Sequence, residues 1–182
     1  MFPNERRMSV IQGTHSTSDE SDVVLSAVLG SCIAVCAYDE LAGVGGMNHI
    51  LLPGTQNNNV PTQNALYGAN LMELLLNNLF SKGAMKKRLK LKLFGGASLL
   101  GSSMNVGPSN VEFISRFVET EGLEVVSSSL GGGQGRQIEF HPVSGRSRQK
   151  FLVDAEAQKL PPVPAAPRIP AASKDAGEIE LF

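Results

Sequence analysis

Two residues of this 182-residue chain could supply a nucleophile and a base from one short stretch: Cys32 and His49, within LSAVLGSCIAVCAYDELAGVGGMNHILLP (25–53). An imidazole beside a thiol can take its proton. The thiolate can then attack a carbonyl carbon, and the imidazolium can protonate the leaving group. Backbone N–H groups around Gly30, Ser31 and Cys32 are candidate donors to the resulting oxyanion, because glycine at 30 permits the close chain approach that a donor nest requires.

A β-hairpin must bring the pair together. Cys32–Cys36 is a small, β-prone run and Gly46–Leu52 is a second, with polar and glycine punctuation at Asp39–Gly43 between them. A turn centred near Leu41 and Ala42 sets His49 opposite Ala34. The strand period of two then places Cys32, Ala34 and His49 on one face, with Cys32 and His49 as diagonal neighbours about 7 Å apart at Cβ. A slip of one residue would put them on opposite faces. In an apolar strand the same residue types commonly serve as a small buried hydrophobe and a hydrogen-bonded core histidine, so spacing alone leaves both readings open.

Five short words occur in order: LGSC (29–32), GGMNHILLP (45–53), YG (67–68), FGGA (94–97) and GGGQGR (131–136). Together they resemble the CheD family of chemoreceptor glutamine deamidases, over about residues 8–153. The resemblance implies that Cys32 is the nucleophile and His49 the base. The family's third member, a threonine six residues before the cysteine, falls on Ser26. Serine keeps the hydroxyl that can orient an imidazole but lacks the methyl that restricts χ1 in threonine. The GG-x-x-GR word is Gly131, Gly132, Gly135 and Arg136, with Ser129 where the family often has an acidic residue. Gly95, Gly96 and Arg136 become site-adjacent candidates.

The resemblance further implies deamidation of glutamine side chains on cytoplasmic helices of chemoreceptors, the methyl-accepting chemotaxis proteins, which tunes chemotaxis signalling. It implies no metal or organic cofactor. It also names a CheC-type phosphatase as a partner, since family members in some bacteria bind one. For the fold it implies an α+β protein: mixed β-sheets packed in layers with two main flanking helices and the site at a sheet edge.

Composition is consistent with one ordinary domain. Of the residues 42% are hydrophobic, and 16 basic against 17 acidic side chains give a net charge of -1, enough apolar content for a core and no broad positive field for nucleic acid. MFPNERRMSV lacks the apolar region of a secretory signal, and Val23–Tyr38, 16 residues with two serines, is too short to span a bilayer. A cytoplasmic location, in association with chemoreceptor arrays, is the expectation, and there Cys32 and Cys36 stay reduced. Their C-x-x-x-C spacing has no second ligand pair nearby to make a zinc site.

Along the chain, Met8–Gln12 reads as a short strand, Gly13–Asp22 as a polar surface loop with a solvated His15, and Val23–Val28 as a strand. Gly54–Gln63 reads as an exposed loop beside the site. A helix over about Asn64–Lys82 follows from Leu71, Leu75 and Leu79 with Met72, Leu76 and Phe80 beside them, ending at Gly83. Arg88–Phe94 alternates leucines with Arg88, Lys90 and Lys92, a half-buried strand with a solvated basic row. Ser109 and Glu112 form a capping box for a second helix up to Gly122. Strand candidates follow at Leu123–Ser128, Arg136–Phe140 and Arg148–Val153, and His141 reads as a surface residue. Residues 1–157 form the CheD-like domain. Residues 158–182 read as a Pro/Ala-rich linker whose apolar tip, EIELF, suits a docking peptide.

Two other functions fit the residues less closely. A non-catalytic module that docks on receptors or on a CheC-type phosphatase would use the same surface by occupancy. A papain-like protease or thiol redox protein is disfavoured by the strand-like pattern around Cys32 and by the lack of a C-x-x-C pair.

Overall fold

The computed structural model describes residues 5–52, 61–98 and 106–152. Strands β1 (Arg6–Ser9), β2 (His15–Ser18), β3 (Val23–Leu29), β4 (Ile33–Asp39) and β5 (Val44–Ile50) come first. Helix α1 (Pro61–Ser81), a 3-10 turn (Lys86–Arg88), β6 (Lys90–Gly95), α2 (Val106–Thr120), β7 (Glu124–Leu130), β8 (Arg136–Phe140) and β9 (Ser147–Phe151) complete it. The strands form two mixed sheets, ordered β1-β3-β8-β9 and β2-β5-β4-β6-β7. Parallel pairing joins β1 to β3 and β6 to β7.

Alternation along the strands explains the layering. On β3, Val23, Leu25, Ala27 and Leu29 face Cys32, Ala34, Cys36, Tyr38, Met47 and Phe94 of the larger sheet, so one apolar layer lies between the sheets. The opposite face of the larger sheet, with Ile33, Val35, Val44, Ile50, Leu91 and Leu93, packs against Leu71, Met72, Leu75, Leu76 and Leu79 of α1 and Ile114 of α2. Strands β4 and β5 are covered on both faces and buried throughout. Fully burying each leucine of the α1 stripe stabilises the fold by about 1.5–3 kcal/mol. The outcome is the layered α+β architecture expected, sheet on sheet with two helices outside.

Several expectations are corrected. His15–Ser18, in the stretch read as a loop, is a strand: it pairs with β5 as an edge, and polar residues suffice there because only one side is packed. His15 is half-buried, its Nε2 3.3 Å from Asn78 Nδ2. The first strand is Arg6–Ser9, and Ile11–Thr14 turns instead of extending it. Residues 61–63, assigned to the exposed loop, begin α1, since a proline at a first helical position needs no N–H. The rest of that loop, 54–60, lies outside the described residues, as do LLGSSMN (99–105) and the whole 158–182 tail.

Helix α2 starts at Val106, ahead of Ser109, so the Ser109–Glu112 pair sits inside the helix and does not cap it. Pro108 is tolerated there in the first turn. The basic row is not a uniform solvated face. Arg88 lies in the 3-10 turn and clamps buried Asp39 through Nε at 3.1 and 2.9 Å, while Lys92 is half-buried over the Tyr38 ring, 5.9 Å from its centroid.

Candidate active site

Cys32 stands where the chain crosses from one sheet to the other. Strand β3 ends at Leu29 and β4 starts at Ile33, leaving Gly30, Ser31 and Cys32 as the crossing. Its carbonyls are all held from the far side: Gly30 O accepts from Ala97 N at 2.9 Å, Cys32 O from Gly96 N at 2.7 Å, and Ser31 O from Asn110 Nδ2 at 2.8 Å. A trans peptide points its N–H opposite to its C=O. Pinning Ser31 O to α2 therefore turns the Cys32 N–H back toward its own sulfur. Burial pushes the Cys32 thiol up to about 11, and hydrogen bonds from the Cys32 and Gly30 N–H groups oppose that rise.

Gly95 and Gly96 are structural partners of this crossing. A Cβ on Gly95, whose φ is +111°, would sit 2.0 Å from Cys32 O. A side chain at 95 would collide with the Cys32 backbone. The site thus lies at the end of a central strand, β4, where the sheets meet, and not at a lateral sheet edge.

His49 comes from β5. It pairs with Ala34 in the antiparallel register, as expected. Met47, two residues earlier on the same face, belongs to the apolar layer that holds Cys32, Ala34 and Cys36, so His49 is on the face of β5 turned toward the layer of Cys32, which itself precedes β4, and no hydrogen bond joins the two side chains. His49 Nδ1 lies 3.0 Å from Val10 O. A carbonyl only accepts, so Nδ1 carries the proton and Nε2 the lone pair. Nε2 is buried, with no hydrogen-bond partner among the described residues. Burial lowers the His49 pKa below its usual range, and the Val10 carbonyl works in the opposite direction. At neutral pH the pair rests as thiol and neutral imidazole.

The Val10 carbonyl belongs to a strap over the site. Val10 N donates to Ser26 O at 2.8 Å, Gly13 N to His49 O at 2.8 Å, and His49 N to Thr14 O at 3.0 Å. At the strap's tip, Gln12 Oε1 accepts from Cys32 Sγ at 3.7 Å.

Ser26 is not brought to His49. On β3 it alternates with the inward Leu25 and Ala27, and its hydroxyl is 3.5 Å from Met8 O. The strand contributes instead through its backbone, by holding Val10. Arg136 is buried on β8, opposite Leu29 in register. It donates to Ser129 O and Gly131 O, and to Ser129 Oγ at 2.9 Å. That loop in turn meets the site's floor, Gly131 N donating to Gly95 O at 2.8 Å and Ser98 N to Gly132 O at 2.7 Å. Arg136 is therefore a buttress, two steps from the sulfur.

Sequence reasoning missed Val10, Gln12 and Asn110. Val10 acts through its backbone, which no residue type announces. Asn110 carries the one available signal, a carboxamide on the apolar face of α2, fully buried and spanning from Ser31 O to Leu52 N at 3.0 Å. Cys36 is buried completely, and burial raises its pKa, with Lys92 opposing; it packs the layer. Among the described residues no cluster of His, Cys, Asp and Glu could hold a metal, and no helix is long and apolar enough to cross a membrane.

A family model described as CheD chemotactic sensory transduction matches residues 51–151. Relatives match over most or nearly all of the chain. A protein of Agrobacterium fabrum named "Probable chemoreceptor glutamine deamidase CheD" is 48% identical over 97% of this chain and 97% of its own. Proteins with the same name from Rhizobium rhizogenes (49% identical, 85% of this chain and 84% of theirs) and Acidiphilium cryptum (44%, 97% and 94%) are similar too. With its layered fold, its Cys32–His49 hairpin face and relatives matched nearly end to end, this chain belongs to the CheD family.

Proposed function

We propose that this protein hydrolyses the side-chain carboxamides of specific glutamines on the cytoplasmic helices of chemoreceptors, leaving glutamate and ammonia. The observation that carries the reading is the Val10–His49 contact, which leaves a free lone pair on buried Nε2, on the face of β5 whose Met47 packs in the layer with Cys32. As the substrate enters, Nε2 takes the thiol proton while Sγ bonds to the carboxamide carbon. The N–H groups near the sulfur, those of Gly30 and Cys32, and the neighbouring Ser31 N–H stabilise the oxyanion. The imidazolium protonates the departing nitrogen and the C–N bond breaks, releasing ammonia and leaving a thioester. Water, deprotonated by His49, attacks that thioester, the C–S bond breaks and the thiol is restored. The same acyl route accepts receptor methyl esters.

Each conversion adds one negative charge to a helix, changing repulsion between neighbouring helices and so the signalling state. The protein works in the cytoplasm, beside receptor arrays. A CheC-type phosphatase is a candidate partner, with EIELF as a second docking element. The test separates an enzyme from a module that acts by occupancy. Ammonia release from a receptor cytoplasmic fragment should stop after alkylation of Cys32, while a docking module would bind that fragment unchanged and release no ammonia before or after alkylation.

A further inference from the structure

The nucleophile is poorly accessible for a group that must reach a side chain of another protein: Cys32 is only 9% exposed. One of the groups against it is Gln12, whose own side chain is a primary carboxamide, the functional group the proposed reaction consumes. Its Oε1 accepts from Sγ at 3.7 Å. Gln12 is held there by its backbone. It precedes Gly13 in a turn closed by Thr14 N and Thr14 Oγ1 on Ile11 O, at 3.0 and 2.6 Å. Gly13 at φ +79° donates to His49 O, and a Cβ there would lie 2.8 Å from the Tyr67 hydroxyl of α1. The strap is pinned on both flanks, whereas the Gln12 side chain is only half-buried and, among the contacts of described residues, its hydrogen bond is the one to Cys32.

We propose that Gln12 is a resident carboxamide that holds the place of the substrate's carboxamide against Cys32 and is displaced when a receptor glutamine enters. This rests on the deamidase reading of the same site. The resident amide presents its oxygen to the sulfur, so it binds the thiol proton and does not offer its carbon for attack. A carbonyl oxygen beside the sulfur also favours the thiol over the thiolate, which keeps the unoccupied site quiet. Substrate must therefore compete with one intramolecular hydrogen bond.

The test is the rate of Cys32 alkylation by iodoacetamide in the full chain, with the labelled residue assigned by peptide mapping. Gln12→Ala removes the amide, and Gln12→Asn, one methylene shorter, withdraws it while keeping the turn polar. Both should label about three- to tenfold faster than wild type, the range one net hydrogen bond commands. Both should also lower KM for a receptor fragment while kcat changes little. Unchanged or slower labelling in variants that melt at the wild-type temperature overturns the proposal. So does a fall in kcat with KM unchanged, which would make Gln12 a donor to the reacting atoms. Because labelling needs no receptor, failure of the deamidase reading would show separately, as absence of turnover in wild type.

Discussion

The Val10 carbonyl oxygen lies 3.0 Å from His49 Nδ1, and this single contact decides which imidazole nitrogen keeps its lone pair. Since Nδ1 must donate, Nε2 is the nitrogen left able to accept a proton, and in the proposed reaction that proton comes from Cys32. The orienting element is therefore a main-chain group on the strap that follows β1, itself held by the backbone of Ser26.

Burial depresses the His49 pKa, and this sets a pH signature. A group whose folded pKa is below its unfolded value contributes stability that is present above the unfolded pKa and lost as pH falls. For His49 the loss begins at about pH 6.5, where the unfolded imidazole takes a proton that the folded one refuses. Thermal melts from pH 8 to pH 5 should show this decline in wild type and a shallower one in His49→Gln. The same variant should lower kcat/KM by about a hundredfold or more, as loss of a general base does.

Asn110 spans two backbone groups of the site. Asn110→Ala would leave Ser31 O and Leu52 N unpaired and buried, at a cost of about 1–3 kcal/mol in stability. It would also release the peptide that aims the Cys32 N–H, so kcat should fall more than KM rises. Asn110→Asp keeps the acceptor for Leu52 N but sets a fully buried carboxylate oxygen against Ser31 O, so it should be no more stable than Asn110→Ala at pH 7 and should recover as the pH falls and the carboxyl takes up a proton. Chemical denaturation and steady-state kinetics on both variants check this.

Gly95→Ala should be the most damaging single-methyl change near the site. Its Cβ would fall 2.0 Å from Cys32 O at a positive φ that alanine resists. Because that neighbour is backbone, the crossing itself must move. The expected result is loss of turnover together with a lower melting temperature, whereas Gly83→Ala, with nothing near its Cβ, should cost only the conformational strain of its φ of +97°.

Asp39 anchors the far end of the hairpin. Burial alone would raise its pKa, but Arg88 and the Met85 and Ala42 N–H groups together bring it down to about 2. Its contribution is therefore complete above the unfolded value of about 4 and is lost between about pH 4 and pH 2. Nearly two pKa units correspond to roughly 2 kcal/mol. Asp39→Asn should lower stability at pH 7 and flatten the acid-unfolding curve over that window.

The hairpin was legible because its strands, its turn and its register are all written in residue type. Glycine and aspartate fix the turn, and a period of two follows from it, so Ala34 meets His49 as expected. The leucine stripe of α1 was legible for the same reason. The β2 strand and the strap were not, because HSTS and IQGT are polar and short, and their order comes from pairing with β5 and from backbone bonds to His49. Ser26 shows the limit of carrying a role by position. Its place on β3 alternates with Leu25 and Ala27, so its hydroxyl leaves the inner face even though its carbonyl supports the strap. The Arg136 buttress was visible only as a word; that its guanidinium would meet Ser129 and Gly131 depended on the loop between β7 and β8.

The central claim is that Cys32 converts receptor glutamines to glutamates. The direct measurement is peptide mass spectrometry on a receptor cytoplasmic fragment after incubation with wild type and with Cys32→Ala, each confirmed to be folded. Wild type should add about one mass unit at a small set of glutamines, and Cys32→Ala should add none while melting near the wild-type temperature. Equal conversion by both proteins, or no conversion by a wild type that binds the fragment, would contradict the account.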